Sequence, residues 1–449
     1  MGVQKKKNTP LFLILSLLTL FLVPCSYSSE PLPGPSVIDI ATFEATKRFG
    51  NQSTAHFINT FYDLEGTPAV HLFLVTKDQE SIPKDMDKCI EGGRRLLEEG
   101  ESLIRTGKTE EGQRLIASGK TLLLQEDRYG ALLVSARQGG PSLIAFHHGL
   151  PTYLTAKKEV DERVTPLGVL YFSPLEYYFE FEIEDQKTLV NAFSLKFLSR
   201  AALEKDLRSS SLTYLEEQDG DVSDLTQLDL YDLEGGDHTG ADPLGQTSDS
   251  QFIPGVPDYH QPAKFPDSCG PTAGACLLGY WDGQGFEDLL QGPGNYDDVT
   301  GLIEELCGTM DWNSSSGVYY SQIPVGLRHV IDDRGYEIGI SSLYGIGSLD
   351  IVRQEIIEGR PFIYGSQENP WGTPHYVVVV GYQENFIIVH DNWQSTPIDY
   401  FVNWAALEHS DDMMTTLVPE GQVGPANEPL PSDRGGGSGG CFIATAIHR

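Results

Sequence analysis

Apolar residues concentrate in two regions of the chain, residues 30–208 and 256–425, and each region has enough of them for a core of its own. The stretch between them, 209–255, is acidic and poor in apolar residues, and no Lys or Arg occurs from residue 209 to residue 263. This composition predicts a flexible tether, because like charges repel and few apolar side chains are available for burial. A second linker, rich in Pro and Gly, is predicted over 426–440.

The first region alternates segments of strand and helix periodicity. Strands are predicted at residues 70–75, 131–135 and 177–183. Within 84–123, Leu and Ile recur at helical spacing, a short sequence is duplicated, and Gly107 and Gly119 occupy positions where a helix would stop. We therefore predict a smaller α+β domain over 30–208, with a helical hairpin inserted at 84–123.

The second region begins with a helix and ends with paired strands. Small and apolar residues follow Cys269, which predicts a buried helix there. The apolar runs 377–382 and 386–389 are separated by a short turn and predict two adjacent antiparallel strands. The expected fold class is α+β, with an N-terminal helix packed on an antiparallel sheet.

The first 29 residues have the features of a signal peptide. Three lysines at 5–7 precede an apolar run from Leu11 to Val23, which is too short for a comfortable membrane span, and small residues follow it. Pro24 disfavours lipidation of Cys25. We predict that residues 1–29 are removed and that the mature chain, without a transmembrane span, is exported to the periplasm, the surface or the outside of a bacterium.

The charge balance excludes several partners. The chain has 64 acidic and 31 basic residues, for a formal net charge of −33. Nucleic acid and anionic lipid both require clustered Lys and Arg, so neither is expected as a partner. No cofactor or metal is predicted. The acidic linker lacks the ligand spacing of an EF-hand calcium loop. The spacing of His375, His390 and Asp391 does not match a known metal-ligand pattern.

Five cysteines remain once the signal peptide is removed: Cys89, Cys269, Cys276, Cys307 and Cys441. An odd number in an exported protein indicates at least one free thiol. Cys276 lies two helical turns after Cys269 and is expected in the core. A disulfide between Cys276 and Cys307 stays an open alternative at this point.

Cys269 is the candidate nucleophile. The sequence around it predicts a loop that ends at a helix start, with Pro271 in the first turn, where its missing N–H does no harm. A helix N-terminus favours the thiolate, which can attack a carbonyl carbon at neutral pH. The resulting oxyanion needs hydrogen-bond donors, for which we predict the side-chain amide of Gln261 and the main-chain N–H of Cys269.

His375 is the candidate base. It opens the first of the two predicted strands, and Asp391 follows the second, so antiparallel pairing would bring the two residues together. Asp391 would then accept from one ring nitrogen and leave the other nitrogen for Cys269.

These residues carry a resemblance to a known family. Residues 256–400 resemble the bacteriocin-leader (double-glycine) peptidases and their exported stand-alone relatives, within the papain-like clan. The motifs that carry it are Tyr259-His260-Gln261, Ser268-Cys269-Gly270-Pro271-Thr272, Glu358-Gly359-Arg360-Pro361-Phe362-Ile363 and His375-Tyr376-Val377-Val378-Val379-Val380-Gly381-Tyr382.

The resemblance implies a papain-like cysteine peptidase fold for 256–425 and a protein or peptide substrate. Carried over residue by residue, it makes Cys269 the nucleophile, His375 the base, Asp391 the orienting acid and Gln261 the oxyanion residue. The family usually has Asp-Pro where this chain has Asp391-Asn392-Trp393, which resembles instead the Asn-Ser-Trp of papain. This likeness keeps Asp391 as first choice, leaves Asn392 as a lesser candidate for the orienting role, and implies that Trp393 shields the His–Asp bond from water. No transporter segment accompanies the peptidase, so leader-peptide export is not implied.

Two weaker resemblances concern the flanking regions. Residues 38–193, through 130–136 and 141–149, look like the propeptide and inhibitor domains of streptopain-like cysteine peptidases. This resemblance implies a zymogen whose N-terminal domain covers the cleft until it is removed, and a plain accessory domain stays an open alternative. Residues 441–449 resemble part of a C-terminal sorting segment, with Cys441 as a candidate surface tether.

Three functions fit the same residues. The first is a peptidase that hydrolyses peptide bonds through a Cys-His-Asp triad and a thioester. The second is an acyl transferase or amidase built on the same site, although the sequence around Cys269 differs from the Asp-Cys-Ser-Gly of peptidoglycan-cleaving relatives. The third is a non-enzymatic surface binding module, and the intact set of candidate residues argues against it.

Overall fold

The computed structural model describes residues 34–419 except for residues 79–81, 83–85, 138–140, 161–165, 184–185, 194, 201–249, 263, 291–298, 315–316, 367–374, 395, 408 and 410–411. The predicted signal peptide (1–29), most of the acidic linker (209–249), the second linker (426–440) and the segment with Cys441 (441–449) lie outside the described residues. These predictions stay predictions.

The N-terminal region is an antiparallel sheet with helices packed against it. Its elements are α1 (Gly34–Phe49), β1 (Thr54–Tyr62), β2 (Pro68–Thr76), α2 (Met86–Arg105), α3 (Thr109–Leu124), β3 (Tyr129–Ser135), β4 (Leu143–His148), α4 (Thr152–Glu159), β5 (Gly168–Ser173), β6 (Glu176–Ile183), β7 (Gln186–Asn191) and β8 (Phe197–Ser199). The strands predicted at 70–75, 131–135 and 177–183 correspond to β2, β3 and β6.

Helices α2 and α3 form the predicted hairpin, and glycines let them approach closely. Gly107 lies between the two helices with a φ of +83°, as predicted for a stop. The prediction that Gly119 ends a helix is wrong, because Gly119 lies inside α3. A Cβ at Gly93 would sit 2.8 Å from the main-chain oxygen of Gly119, so both positions are glycine to permit contact between the helices.

The C-terminal region contains a buried helix followed by shorter helices and a second group of strands. Its elements are β9 (Ser250–Phe252), α5 (Cys269–Gly283), α6 (Val299–Thr309), α7 (Gln322–Asp333), β10 (Ile338–Tyr344), α8 (Leu349–Ile357), β11 (Phe362–Ser366), β12 (His375–Gln383), β13 (Phe386–His390), β14 (Tyr400–Asn403), a 3-10 turn (Trp404–Ala406) and β15 (Asp412–Pro419). Strand β9 falls within the predicted linker 209–255 and pairs with the end of β12.

The strands of both regions belong to one sheet. Their order is β10-β15-β11-β12-β13-β14-β4-β3-β2-β1-β5-β6-β7-β8, with β9 beside β12. The two regions meet where β14 pairs antiparallel with β4, opposing Phe401 to Phe146 and Tyr400 to His147. The sequence predicts two separate cores, but it contains no signal for this shared pairing, since strand partners distant in sequence are selected by packing.

Side chains reinforce the junction between β14 and β4. The rings of Phe146 and Phe401 stack with centroids 4.3 Å apart, and Asn403 Nδ2 donates to the main-chain oxygen of Leu143 at 2.9 Å. The Arg48 guanidinium of α1 lies 4.9 Å from the ring centroid of Phe146 and donates to Glu384 at 2.7 Å. The N-terminal region is therefore fixed against the sheet that carries the candidate site.

Helices and antiparallel strands occur together, so the predicted α+β class is confirmed. None of the helices within the described ranges has both the length and the apolar content needed to cross a bilayer.

Candidate active site

Cys269 is the first residue of α5, as the sequence predicts. Asp267, two residues earlier, has a φ of +61°, which turns the chain sharply into the helix. Helix α5 is buried along most of its length and contacts β11 and β12. The Cys269 side chain is consequently held in a packed environment, and the residue is 6% exposed.

His375 is the first residue of β12, as the sequence predicts. The main-chain N–H of Tyr376, the following residue, donates to the thiol of Cys269. His375 Nε2 lies 3.0 Å from the main-chain oxygen of Asp391. A carbonyl oxygen can only accept, so Nε2 carries the proton and Nδ1 is left to accept one.

Asp391 approaches His375 through its main chain rather than through its carboxyl group. Its Oδ1 accepts from the main-chain N–H of Trp393 at 3.1 Å and from the hydroxyl of Thr396. The predicted contact between the carboxylate and the imidazole is therefore replaced by a contact to the carbonyl of the same residue. Burial raises the pKa of Asp391 to about 7, and the Thr396 hydroxyl opposes this shift.

Trp393 packs flat against the candidate base. Its ring is stacked on that of His375, with centroids 5.5 Å apart and an angle of 9° between the planes. The indole thus covers one face of the imidazole beside its bond to Asp391.

Gln261 is brought to the site by a main-chain bond, its N–H donating to the oxygen of Asn392 at 3.2 Å. Both polar atoms of its side chain are buried, and no partner for them is found among the described residues. A buried amide without partners is unfavourable, which fits a donor held ready for an oxyanion. The oxyanion role of Gln261 stays a prediction.

The electrostatics of the resting site favour neutral groups. Burial raises the pKa of Cys269 to about 11, although N–H groups of Tyr376, Gly270 and Cys269 itself oppose the shift. Burial also lowers the pKa of His375 to about 4, opposed by the carbonyl of Asp391. The sequence predicts that the helix N-terminus favours the thiolate, but desolvation outweighs this effect in the covered site.

The N-terminal region forms one wall of a cavity of about 490 Å³ beside the site. Gln261, Asn392 and Trp393 line one side, and Arg94 of α2 and Phe193 line the other. The lining also contains Lys196, whose ammonium group forms an ion pair with Asp267.

A second polar contact joins the same two regions. Lys120 of α3 lies 2.6 Å from Nε2 of His260, the neighbour of Gln261, and 3.5 Å from the carboxylate of Asp258. Lys120, Lys196 and Thr396 were not identified as site residues from the sequence, because their partners are set by the tertiary fold. The acidic residue Asp267, two residues before the nucleophile, is a sequence feature that could have pointed to a basic partner such as Lys196.

The remaining cysteines do not form the disulfide left open above. Cys276 and Cys307 are both buried free thiols, and Cys89 is a half-buried one. Cys276 lies on α5 behind the nucleophile, where the main-chain N–H of Tyr259 donates to its sulfur at 3.3 Å.

Comparison with known proteins gives a family for the C-terminal region. Residues 253–410 match the Peptidase_C39 like family, which is about a third of the chain. None of the curated proteins matches the chain significantly.

Three solved structures are distantly similar, each at 15% identity. A protein described as a C39-like peptidase from Bacillus anthracis has a TM-score of 0.26, with 37% of this chain and 96% of that chain covered. Interpain A, a cysteine protease of Prevotella intermedia, has a TM-score of 0.28, with 37% and 94% covered. The peptidase domain of Streptococcus ComA has a TM-score of 0.24, with 36% and 97% covered.

These structural likenesses are too distant to assign a substrate. The family match contains every predicted catalytic residue, namely Gln261, Cys269, His375 and Asp391. The predicted enzyme class is thereby confirmed: the matched region is that of a cysteine peptidase.

Proposed function

We propose that this chain is an exported cysteine peptidase that hydrolyses peptide bonds through Cys269, His375 and Asp391 and is held inactive by its N-terminal region. The observation that carries the proposal is the hydrogen bond from the N–H of Tyr376 to the thiol of Cys269. This bond puts the nucleophile beside the main chain of the residue that follows the proposed base, and it is this proximity that supports a proton transfer from Cys269 to His375.

The reaction follows from the position of each group. Nδ1 of His375 accepts the thiol proton, and the thiolate attacks the peptide carbonyl carbon. The Cys269 main-chain N–H and the Gln261 amide donate to the oxyanion. When the C–N bond breaks, His375 gives its proton to the departing amine, and a thioester remains on Cys269.

Water then completes the cycle. His375 takes a proton from water, whose oxygen attacks the thioester carbon, and the C–S bond breaks as the carboxylic acid leaves. The proton returns from His375 to the Cys269 sulfur. Throughout, the carbonyl of Asp391 accepts from Nε2 and stabilises the imidazolium that forms in each half of the cycle.

Inhibition by the N-terminal region is supported by the contacts around the cavity. Lys196 and Lys120 attach the N-terminal region to Asp267, two residues before Cys269, and to His260, the neighbour of Gln261. A substrate peptide needs an open groove, so this region must be displaced or removed before catalysis. Export is proposed from residues 1–29, whose pattern of basic, apolar and small residues is that of a signal peptide.

The test is the intact mass of the mature chain, residues 30–449, followed over time under mild reductant. Wild-type protein is expected to cleave itself between the two regions, and Cys269→Ala and His375→Ala are expected to stay whole. Cys307→Ala removes another buried free thiol and serves as the matched control, which should cleave like wild type. Equal cleavage in wild type and Cys269→Ala would contradict the proposal.

A further inference from the structure

Asn392 has an unusual backbone conformation at the centre of the site. Its φ is +64°, in the left-handed region, and the residue is completely buried. Asparagine tolerates this region better than most residues, whereas the ring of proline fixes φ near −65° and excludes it. Position 392 therefore cannot be proline in this structure, and asparagine is among the residues that take this turn at low cost.

The turn inserts the Asn392 side chain between segments that carry the catalytic groups. Nδ2 donates to the main-chain oxygen of Tyr376 at 2.8 Å and lies 3.5 Å from that of Cys269. Oδ1 accepts from the thiol of Cys276 at 3.7 Å. The assignment of the two amide atoms is unambiguous, because carbonyl oxygens can meet only the donor end of the amide.

The main chain of Asn392 extends this network to a third segment. Its carbonyl oxygen accepts the N–H of Gln261 at 3.2 Å. One residue thus contacts the nucleophile helix through Cys269 and Cys276, the strand of the base through Tyr376, and the loop of the predicted oxyanion donor.

Resting on the function proposed above, we infer that Asn392 is a positioning residue that fixes the distance between Cys269, His375 and Gln261. This role differs from orienting the imidazole, since the Asn392 amide is bonded to main-chain oxygens and the imidazole is bonded to Asp391. Misplacement of reacting groups by about 1 Å can reduce a rate by about 100-fold. Loss of the Asn392 amide should therefore lower kcat and leave KM nearly unchanged.

Two substitutions separate the amide from the backbone conformation. Asn392→Gly keeps the left-handed φ and removes the amide. Asn392→Asp keeps the size of the side chain but turns an oxygen towards the carbonyls of Tyr376 and Cys269. Asn403→Asp is the matched control, because Asn403 also donates to a buried main-chain oxygen, that of Leu143, away from the site.

The readouts are kcat and KM with dye-labelled casein, measured on the mature chain after its mass has become constant, together with Tm. We expect kcat to fall about 10- to 100-fold in both position 392 variants, with KM within about twofold of wild type. Asn403→Asp should lower Tm about as much as the position 392 variants do, while its kcat should stay within about twofold of wild type. A kcat of Asn392→Gly within twofold of wild type overturns the inference.

If both position 392 variants fail to fold, Cys276→Ala tests the positioning role of Asn392 instead. It removes the thiol that donates to Oδ1 of Asn392, together with the sulfur that accepts from the N–H of Tyr259. A kcat loss of threefold or more supports the inference, whereas an unchanged kcat overturns it. Failure of the underlying function has a different signature, because wild type and Cys269→Ala would then be equally inert towards casein.

Discussion

The imidazole of His375 and the indole of Trp393 are stacked with their planes 9° apart. The stack holds one face of the ring while the carbonyl of Asp391 holds Nε2, so the ring is constrained in two directions. Both constraints keep Nδ1 pointed away from the main-chain oxygen of Asp391 and available to accept a proton. Trp393 was predicted from the sequence as a shield, and the stacking gives it an additional orienting role.

Trp393→Ala is expected to lower kcat about tenfold, because the imidazole gains freedom to rotate and water gains access to its bond with Asp391. Trp393→Phe retains an aromatic face and should stay within about threefold of wild type. The measurement is kcat and KM with dye-labelled casein. Equal activities of the alanine and phenylalanine variants would contradict the orienting role, since only one of them preserves the stack.

Asp391→Asn tests which part of Asp391 acts on the base. The substitution keeps the main-chain carbonyl that accepts from His375, so we expect kcat to fall less than about tenfold, while His375→Ala abolishes turnover. A loss with Asp391→Asn as large as that with His375→Ala would show that the carboxylate itself contacts the imidazole during turnover.

The same variant has a predicted effect on stability. Because the folded pKa of Asp391 is about 7, above its usual 3.8, the folded state binds the proton more tightly than the unfolded state. The protonated Asp391 carboxyl therefore contributes to the free energy of unfolding at low pH, and this contribution is lost as the pH rises towards 7. Asp391→Asn should have a higher Tm than wild type at pH 8 and a smaller advantage at pH 5. Identical differences in Tm at the two pH values would contradict the raised pKa.

The sequence was sufficient for the local parts of this site. Cys269 at a helix start and His375 at a strand start follow from short patterns, because Pro271 and the apolar run after His375 fix the adjoining elements. Which atoms of Asp391 meet the imidazole depends on the left-handed turn at Asn392, and no periodicity encodes a single backbone angle. Likewise, the pairing of β14 with β4 depends on the packing of Phe401 on Phe146, across more than 250 residues.

The ion pair between Lys196 and Asp267 is expected to help keep the N-terminal region in place. Lys196→Glu replaces the attraction to Asp267, which lies two residues before the nucleophile, by repulsion. Because half-exposed ion pairs contribute little more than about 1 kcal/mol, we expect self-cleavage to become about twofold to tenfold faster. Intact mass over time measures the rate. Lys187→Glu is the control, because it reverses the charge of another half-exposed lysine, which pairs with Glu180 inside the N-terminal region. Equal acceleration by both variants would indicate general loosening and contradict a specific contact at Asp267.

Acid should weaken the junction between β14 and β4, where His147 is buried against the ring of Tyr400. Burial lowers the pKa of His147 to about 4, although the main-chain oxygen of His148 opposes the shift. Below pH 6.5 the unfolded state therefore binds more protons than the folded state, and the free energy of unfolding falls as the pH falls towards 4. At pH 5 this single group would account for up to about 2 kcal/mol of lost stability.

Thermal unfolding at pH 7, 6 and 5 measures this loss. His147→Gln cannot be protonated and should show a smaller decrease of Tm between pH 7 and pH 5 than wild type. His329→Gln is the control, because His329 is an exposed histidine on α7, and its Tm should follow the wild-type pH dependence. If His147→Gln lost as much stability on acidification as wild type, the sensitivity would have to come from other buried groups, such as His375, whose pKa burial also lowers to about 4. Because His147 lies opposite Tyr400 at the point where the two regions share their sheet, a positive result would locate this acid sensitivity at the junction between β14 and β4.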